Sequence, residues 1–231
     1  MQSAKSLVAQ VIKEPAIIKS YTLAQWDTLI SQGRRSDLLG RLCRLLEAND
    51  LLGCVPDAPR QHLVSTRTMA DKHEVGVGWE VKCIHHALSE QGIPTILLKG
   101  AAYVMAGLPS GWGRLFFDVD IMVPKAALES AELALYMASY VTTHTDEYDQ
   151  RYYRQWMHEL PPLIHVRRKT LLDVHHTILP ETAHLHPDPQ KLIAASLPVE
   201  GFDDLYVLSP VDMVLHSMTH LFHDGELERG L

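Results

Sequence analysis

The segment RLFFDVDIMVP, residues 114–124, constrains the fold of this chain more than any other stretch. It reads as a buried strand, yet Asp118 and Asp120 stand in its middle. Side chains on a strand alternate between faces, so Phe117, Val119, Ile121 and Val123 form one apolar row. Asp118 and Asp120 share the opposite face with Met122, their Cβ atoms about 7 Å apart. Like charges that close, among apolar neighbours, repel each other and resist the loss of water. The segment demands a cationic partner.

A third acid extends the pattern. In LLDVHHTI, Leu172, Val174, His176 and Ile178 fall on one strand face, and Asp173, His175 and Thr177 on the other. If this strand pairs beside the first, Asp118, Asp120 and Asp173 converge. Three carboxylates around one point suit a hard divalent cation, Mg2+ or Mn2+, which prefers oxygen ligands. Mg2+ keeps several waters in such a site and bridges carboxylates to substrate phosphates, which favours phosphoryl or nucleotidyl displacement.

The surrounding chain predicts an α+β protein, with a helical N-terminal region over residues 1–92 and an α/β core with a C-terminal helix over 93–231. LAQWDTLISQG and SDLLGRLCRLLEAND have helical apolar spacing, and Ser36 is the expected N-cap of the second. Val77, Val81, Ile84 and Leu88 line one face of a further helix that ends at Gly92 and Pro94. TILLKG is a short apolar strand running into Lys99 and Gly100, and AAYVMAG a brief helix. KAALESAELALYMASY is helical, and LPPLIHV and KTLLDVHHTI read as paired strands. DLYVLS precedes a last helix, for which Ser209, Pro210 and Asp212 supply the N-cap, the proline of the first turn and the acid at N3.

The order of these features resembles the DNA polymerase β-like nucleotidyltransferase superfamily, and within it a bacterial family of uncharacterised nucleotidyltransferases. The resemblance rests on Lys99-Gly100, Arg114, Asp118-x-Asp120 and Asp173-x-His175, and covers roughly residues 80–225. It implies a mixed-sheet core and Mg2+-dependent transfer of a nucleoside monophosphate from an NTP such as ATP to an unknown acceptor: a small molecule, protein or RNA. It also implies that Asp118 and Asp120 hold metal while Asp173 completes the triad. Gly100 then admits the phosphates to the backbone, with Lys99, Ala101, Arg114 and His175 around the nucleotide. The superfamily usually has Gly-Ser where this chain has Gly100-Ala101, which removes one hydroxyl ligand for phosphate.

Two other classes compete. A metal-dependent phosphohydrolase would use the histidines, with His223-Asp224 as its pair, and a non-catalytic antitoxin-like module would act by binding a partner. His216, His220 and His223 lie on one helical face, opposite an apolar stripe of Val211, Leu215, Met218 and Phe222, and read as a polar surface. The stretch HTDEYDQRYYRQWMHE also reads as surface.

With 21 basic and 28 acidic side chains the net charge is −7, which argues against a broad electrostatic grip on nucleic acid or an anionic membrane. Three cysteines without a C-x-x-C spacing argue for a reducing compartment. The first residues lack the apolar core of a signal peptide, and no run spans a bilayer. These features predict a cytoplasmic protein.

Overall fold

The computed structural model describes residues 6–144, 146–180 and 182–223. They form two compact units: residues 6–75 with 109–116, and residues 76–108 with 117–223 apart from 145 and 181. The division falls inside one long helix.

The first unit is helical. It holds α1 (Leu7–Lys13), α2 (Leu23–Arg35), α3 (Leu39–Ala48) and the first part of α4 (Asp57–Ser89). Val11, Trp26, Leu29, Leu42, Leu46 and Leu63 build its core. Thr22 opens α2 through a capping box with Gln25. Ser36 does not open α3 as expected. It closes α2, where its hydroxyl donates to the Gln32 carbonyl, and the next residue, Asp37, turns the chain with φ 54°. The segment 109–116 belongs to this unit because two glycines meet, and a Cβ on Gly113 (φ 69°) would lie 2.6 Å from the Gly40 backbone.

The second unit is built on a seven-stranded mixed sheet. Its strands are β1 (Thr95–Leu97), β2 (Asp118–Met122), β3 (Tyr140–Thr142), β4 (Leu163–His165), β5 (Leu171–His175), β6 (Leu197–Pro198) and β7 (Leu205–Val207). Their spatial order is β3-β4-β5-β2-β1-β7-β6. The central β2 runs parallel to β5 and antiparallel to β1. The strand positions expected from sequence hold, and so does the pairing of LPPLIHV with KTLLDVHHTI as β4 and β5. Val119, Ile121, Leu172 and Val174 are buried on one face of the sheet. The expected apolar row ends short at its start, since Phe117 lies before β2 and is 61% exposed.

The helices of this unit are α5 (Lys99–Met105), α6 (Leu128–Met137), α7 (Glu147–Trp156), α8 (Pro189–Ala195) and α9 (Pro210–His223). HTDEYDQRYYRQWMHE thus contains a helix, α7, with Tyr148, Tyr152 and Trp156 exposed along it. Ser209 caps α9 as expected, accepting from the Asp212 N–H. The facing of α9 is the reverse of the expectation. Val211, Leu215, Met218 and Phe222 are exposed, while His216 is buried at 4%. Among the described residues, no helix is long and apolar enough to cross a membrane.

One buried polar cluster ties the outer strands to α4. Glu80, 2% exposed, accepts from the Tyr140 hydroxyl at 2.5 Å and from the Arg168 guanidinium at 2.6 Å and 3.1 Å. Burial and the adjacent Glu80 carboxylate push the Tyr140 hydroxyl far up, so it remains a donor. Glu80→Gln keeps the volume but leaves Arg168 without its counter-charge, and should cost about 2–3 kcal/mol. Urea unfolding of the two proteins at matched pH checks this.

Candidate active site

The parallel pairing of β2 and β5 sets the geometry. Asp120 lies directly opposite Asp173, and Met122 opposite His175. Asp118 shares the face of Asp120 two residues earlier, so all three acids stand on one face of the sheet centre. Asp118 is exposed, Asp173 half-buried and Asp120 buried.

The required cation is supplied by the protein. Lys99 Nζ lies 2.8 Å from Asp120 Oδ1, and His175 Nε2 lies 3.2 Å from the same oxygen. On its other side, His175 Nδ1 is 3.2 Å from Glu159 Oε2. Burial pushes the Asp120 carboxyl up, but the His175 hydrogen bond and the Lys99 charge outweigh it and hold the group well below the usual range. Burial would lower the His175 imidazole, yet the bond to Asp120 and the charge of Glu159 raise it. For Lys99 burial also lowers, and the Asp120 carboxylate reverses the sign. Lys99 therefore serves first as the partner of Asp120.

Asp173 has no such relief. Among the described residues its carboxylate makes no hydrogen bond or ion pair. Burial, then the charges of Asp120 and Glu159, push it up to about 7. An acid crowded in this way beside two others, with its lone pairs unused, is the donor set that fits a hard divalent cation.

Lys99 and Gly100 open α5 directly after β1, and Lys99 holds φ 43°, a left-handed conformation rare outside glycine. Gly100 and Ala101 are buried, Ala101 at 1%. Arg114 is half-buried in the segment 109–116, which belongs to the helical unit.

Residue spacing alone does not assign Glu159 or His216 to this site. His216 projects from α9, whose packing on α5 includes a 2.5 Å bond between the Tyr103 and Ser217 hydroxyls. Burial, then the positive fields of His175 and Lys99, hold its imidazole down at about 3, so it stays neutral beside the acids. The side chain of His223 and all of Asp224, the pair needed by a phosphohydrolase, lie outside the described residues.

Asp173 makes a pH prediction. Its folded pKa lies above the ordinary carboxylate value, so the folded state binds more protons than the unfolded state between roughly pH 4 and 7. Its contribution to stability therefore falls as pH rises through that window. Asp173→Asn should raise the melting temperature of the metal-free protein above pH 7 and leave it nearly unchanged at pH 4. Thermal unfolding at both pH values checks the sign.

No curated protein and no solved structure is similar enough to match this chain. A family model does match, over residues 22–231, and it takes in the second unit, the first unit from residue 22 onward and all three acids. With its seven-stranded mixed sheet and helical N-terminal region, the chain belongs to the family described as uncharacterised nucleotidyltransferases.

Proposed function

We propose that the protein transfers a nucleoside monophosphate from an NTP, ATP foremost, to an acceptor hydroxyl in a Mg2+-dependent reaction. The observation that carries this reading is the register of β2 and β5, which sets Asp173 opposite Asp120 with Asp118 on the same face. Family membership supports nucleotidyl transfer in general terms. Asp118, Asp120 and Asp173 are the residues that would hold the metal, Mg2+ or Mn2+, which supplies Lewis-acid stabilisation of charge on the phosphates.

The chain's own groups divide the remaining work. Asp173, set opposite Asp120 by the strand register, acts as the general base toward the acceptor. It takes the proton of the acceptor hydroxyl as the acceptor oxygen bonds to the α-phosphorus. The bond from that phosphorus to the bridging oxygen breaks, and pyrophosphate leaves with the electron pair. Lys99 and His175 keep Asp120 ionised and fixed while this happens. The start of α5 at Gly100 offers backbone N–H groups to the phosphates without a Cβ in the way. Ala101 brings no hydroxyl, so the phosphates rely on backbone and cationic groups. Free cysteines at 43, 54 and 83 fit a reducing, cytoplasmic setting.

Asp173→Asn tests the chemistry. It should keep NTP binding by calorimetry while pyrophosphate release falls ~10²–10⁴-fold, the usual range for losing a general base. Robust release by the variant would overturn the assignment. A parent that releases no pyrophosphate with any acceptor, while one protein co-purifies in equal amount, would instead favour the binding-module reading.

Gly100→Val tests the phosphate approach. The variant should weaken NTP binding at least ~10-fold, since a branched side chain blocks contact with the backbone. Circular dichroism checks that it is folded. Parental affinity in a folded variant would place the phosphates elsewhere.

A further inference from the structure

We infer that His158, Glu159 and His175 form a second metal site, for a borderline transition cation of the Zn2+ class, one imidazole away from the carboxylates. This inference does not rest on nucleotidyl transfer.

The three side chains each present a donor atom within 4.8 Å of the other two. Two imidazoles and one carboxylate make the donor set of zinc sites that keep a fourth position open. It differs in kind from the all-oxygen set of Asp118, Asp120 and Asp173, which suits Mg2+. A tetrahedral ion with bonds of roughly 2.1 Å holds its ligand atoms about 3.4 Å apart. His175 Nδ1 and Glu159 Oε2 stand 3.2 Å apart, close to that edge.

The contact has a second property. His175 is buried, with 2% of its side chain exposed, and its Nδ1 makes no hydrogen bond despite the nearby carboxylate. The two atoms lie at ligand–ligand distance, but an N–H on Nδ1 would not point at Glu159. Both instead can address a shared third point. His158 flanks it, its ring centroid 5.1 Å from that of His175 and the planes 30° apart.

The backbone holds the donors in place. His158 and Glu159 follow α7 and pair with the end of β5: the His176 N–H donates to the His158 carbonyl at 2.8 Å, and the Leu160 N–H to the Val174 carbonyl at 2.8 Å. Glu159 and His175 are direct partners in this short antiparallel bridge.

The far nitrogen of His175 completes the case. With Nδ1 on a metal, Nε2 carries the proton and donates to Asp120 at 3.2 Å. This is the carboxylate–histidine–metal arrangement, in which a carboxylate behind the imidazole fixes its tautomer and orientation. Here that carboxylate also belongs to the acidic site. A cation at His158, Glu159 and His175 thus holds Asp120 through one imidazole, and the two sites are linked.

Co2+, a spectroscopic stand-in for Zn2+, is the probe. With excess Mg2+ present to fill the acidic site, the protein should take up one equivalent of Co2+ and develop an intense visible d–d band that Mg2+ does not remove and Zn2+ abolishes. Asp118→Asn, which alters only the acidic site, should leave the band unchanged. The His158→Gln/Glu159→Gln double variant should weaken uptake at least ~100-fold, more than loss of a supporting residue alone. X-ray absorption on the parent requires no variant and should show two imidazole nitrogens around the metal. Displacement by Mg2+, loss of the band in Asp118→Asn, parental uptake by the double variant, a shell without two imidazoles, or no uptake would each overturn the inference.

Discussion

The buried carboxylate of Asp120 is the interaction on which the site depends. At 3% exposure, an ionised acid among Val119, Ile121 and Met122 is tolerable only with close counter-charge and directed hydrogen bonds. Lys99 comes to it from the end of β1 and His175 from β5, the strands on either side of β2. The pairing of three strands is therefore written into one ion cluster. Slipping β5 by a single residue would move both Asp173 and His175 to the opposite face. The charge cluster and the register enforce each other.

The sheet centre was readable because its chemistry follows a period of two. Asp118 with Asp120, and Asp173 with His175, each sit two residues apart among apolar neighbours, and such a pattern has one natural reading. What sequence periodicity does not carry is contact across the fold. His158 and Glu159 lie between a helix and a strand, in a stretch with no periodicity of its own. The backbone bridge to β5 brings them to His175. Ser36 shows the same limit at short range, since a serine between two helices can close one or open the other. The left-handed turn at Asp37, invisible to residue spacing, decides it.

The C-terminal helix departs from its sequence pattern for a related reason. An amphipathic pattern identifies two faces, but the assignment of the apolar face to the interior assumes an apolar interior. Next to α9 lie Lys99, Asp120 and His175, whose fields act on His216. A neutral imidazole fits there better than a leucine, because it can donate to or accept from polar neighbours. The apolar side of the helix, with Val211, Leu215, Met218 and Phe222, is left exposed. Polarity pointed inward because the interior at that place is a polar site.

Lys99 shows how backbone and electrostatics share one residue. Its φ of 43° costs a non-glycine residue roughly 1–2 kcal/mol. The turn is needed because the chain must leave β1 and enter α5 within two residues: Leu98 still pairs with β2, its N–H donating to the Asp120 carbonyl, while Lys99 already begins the helix. A glycine would make that turn without strain but would leave Asp120 with the His175 imidazole as its remaining partner. The ammonium at 2.8 Å offsets the strain by stabilising a buried charge. The order Lys-Gly then has a physical reason. The charged residue takes the position that reaches back to Asp120, and the residue without a side chain takes the next one, where the helix begins. Reversing the two would keep the composition and lose both the ion pair and the open backbone.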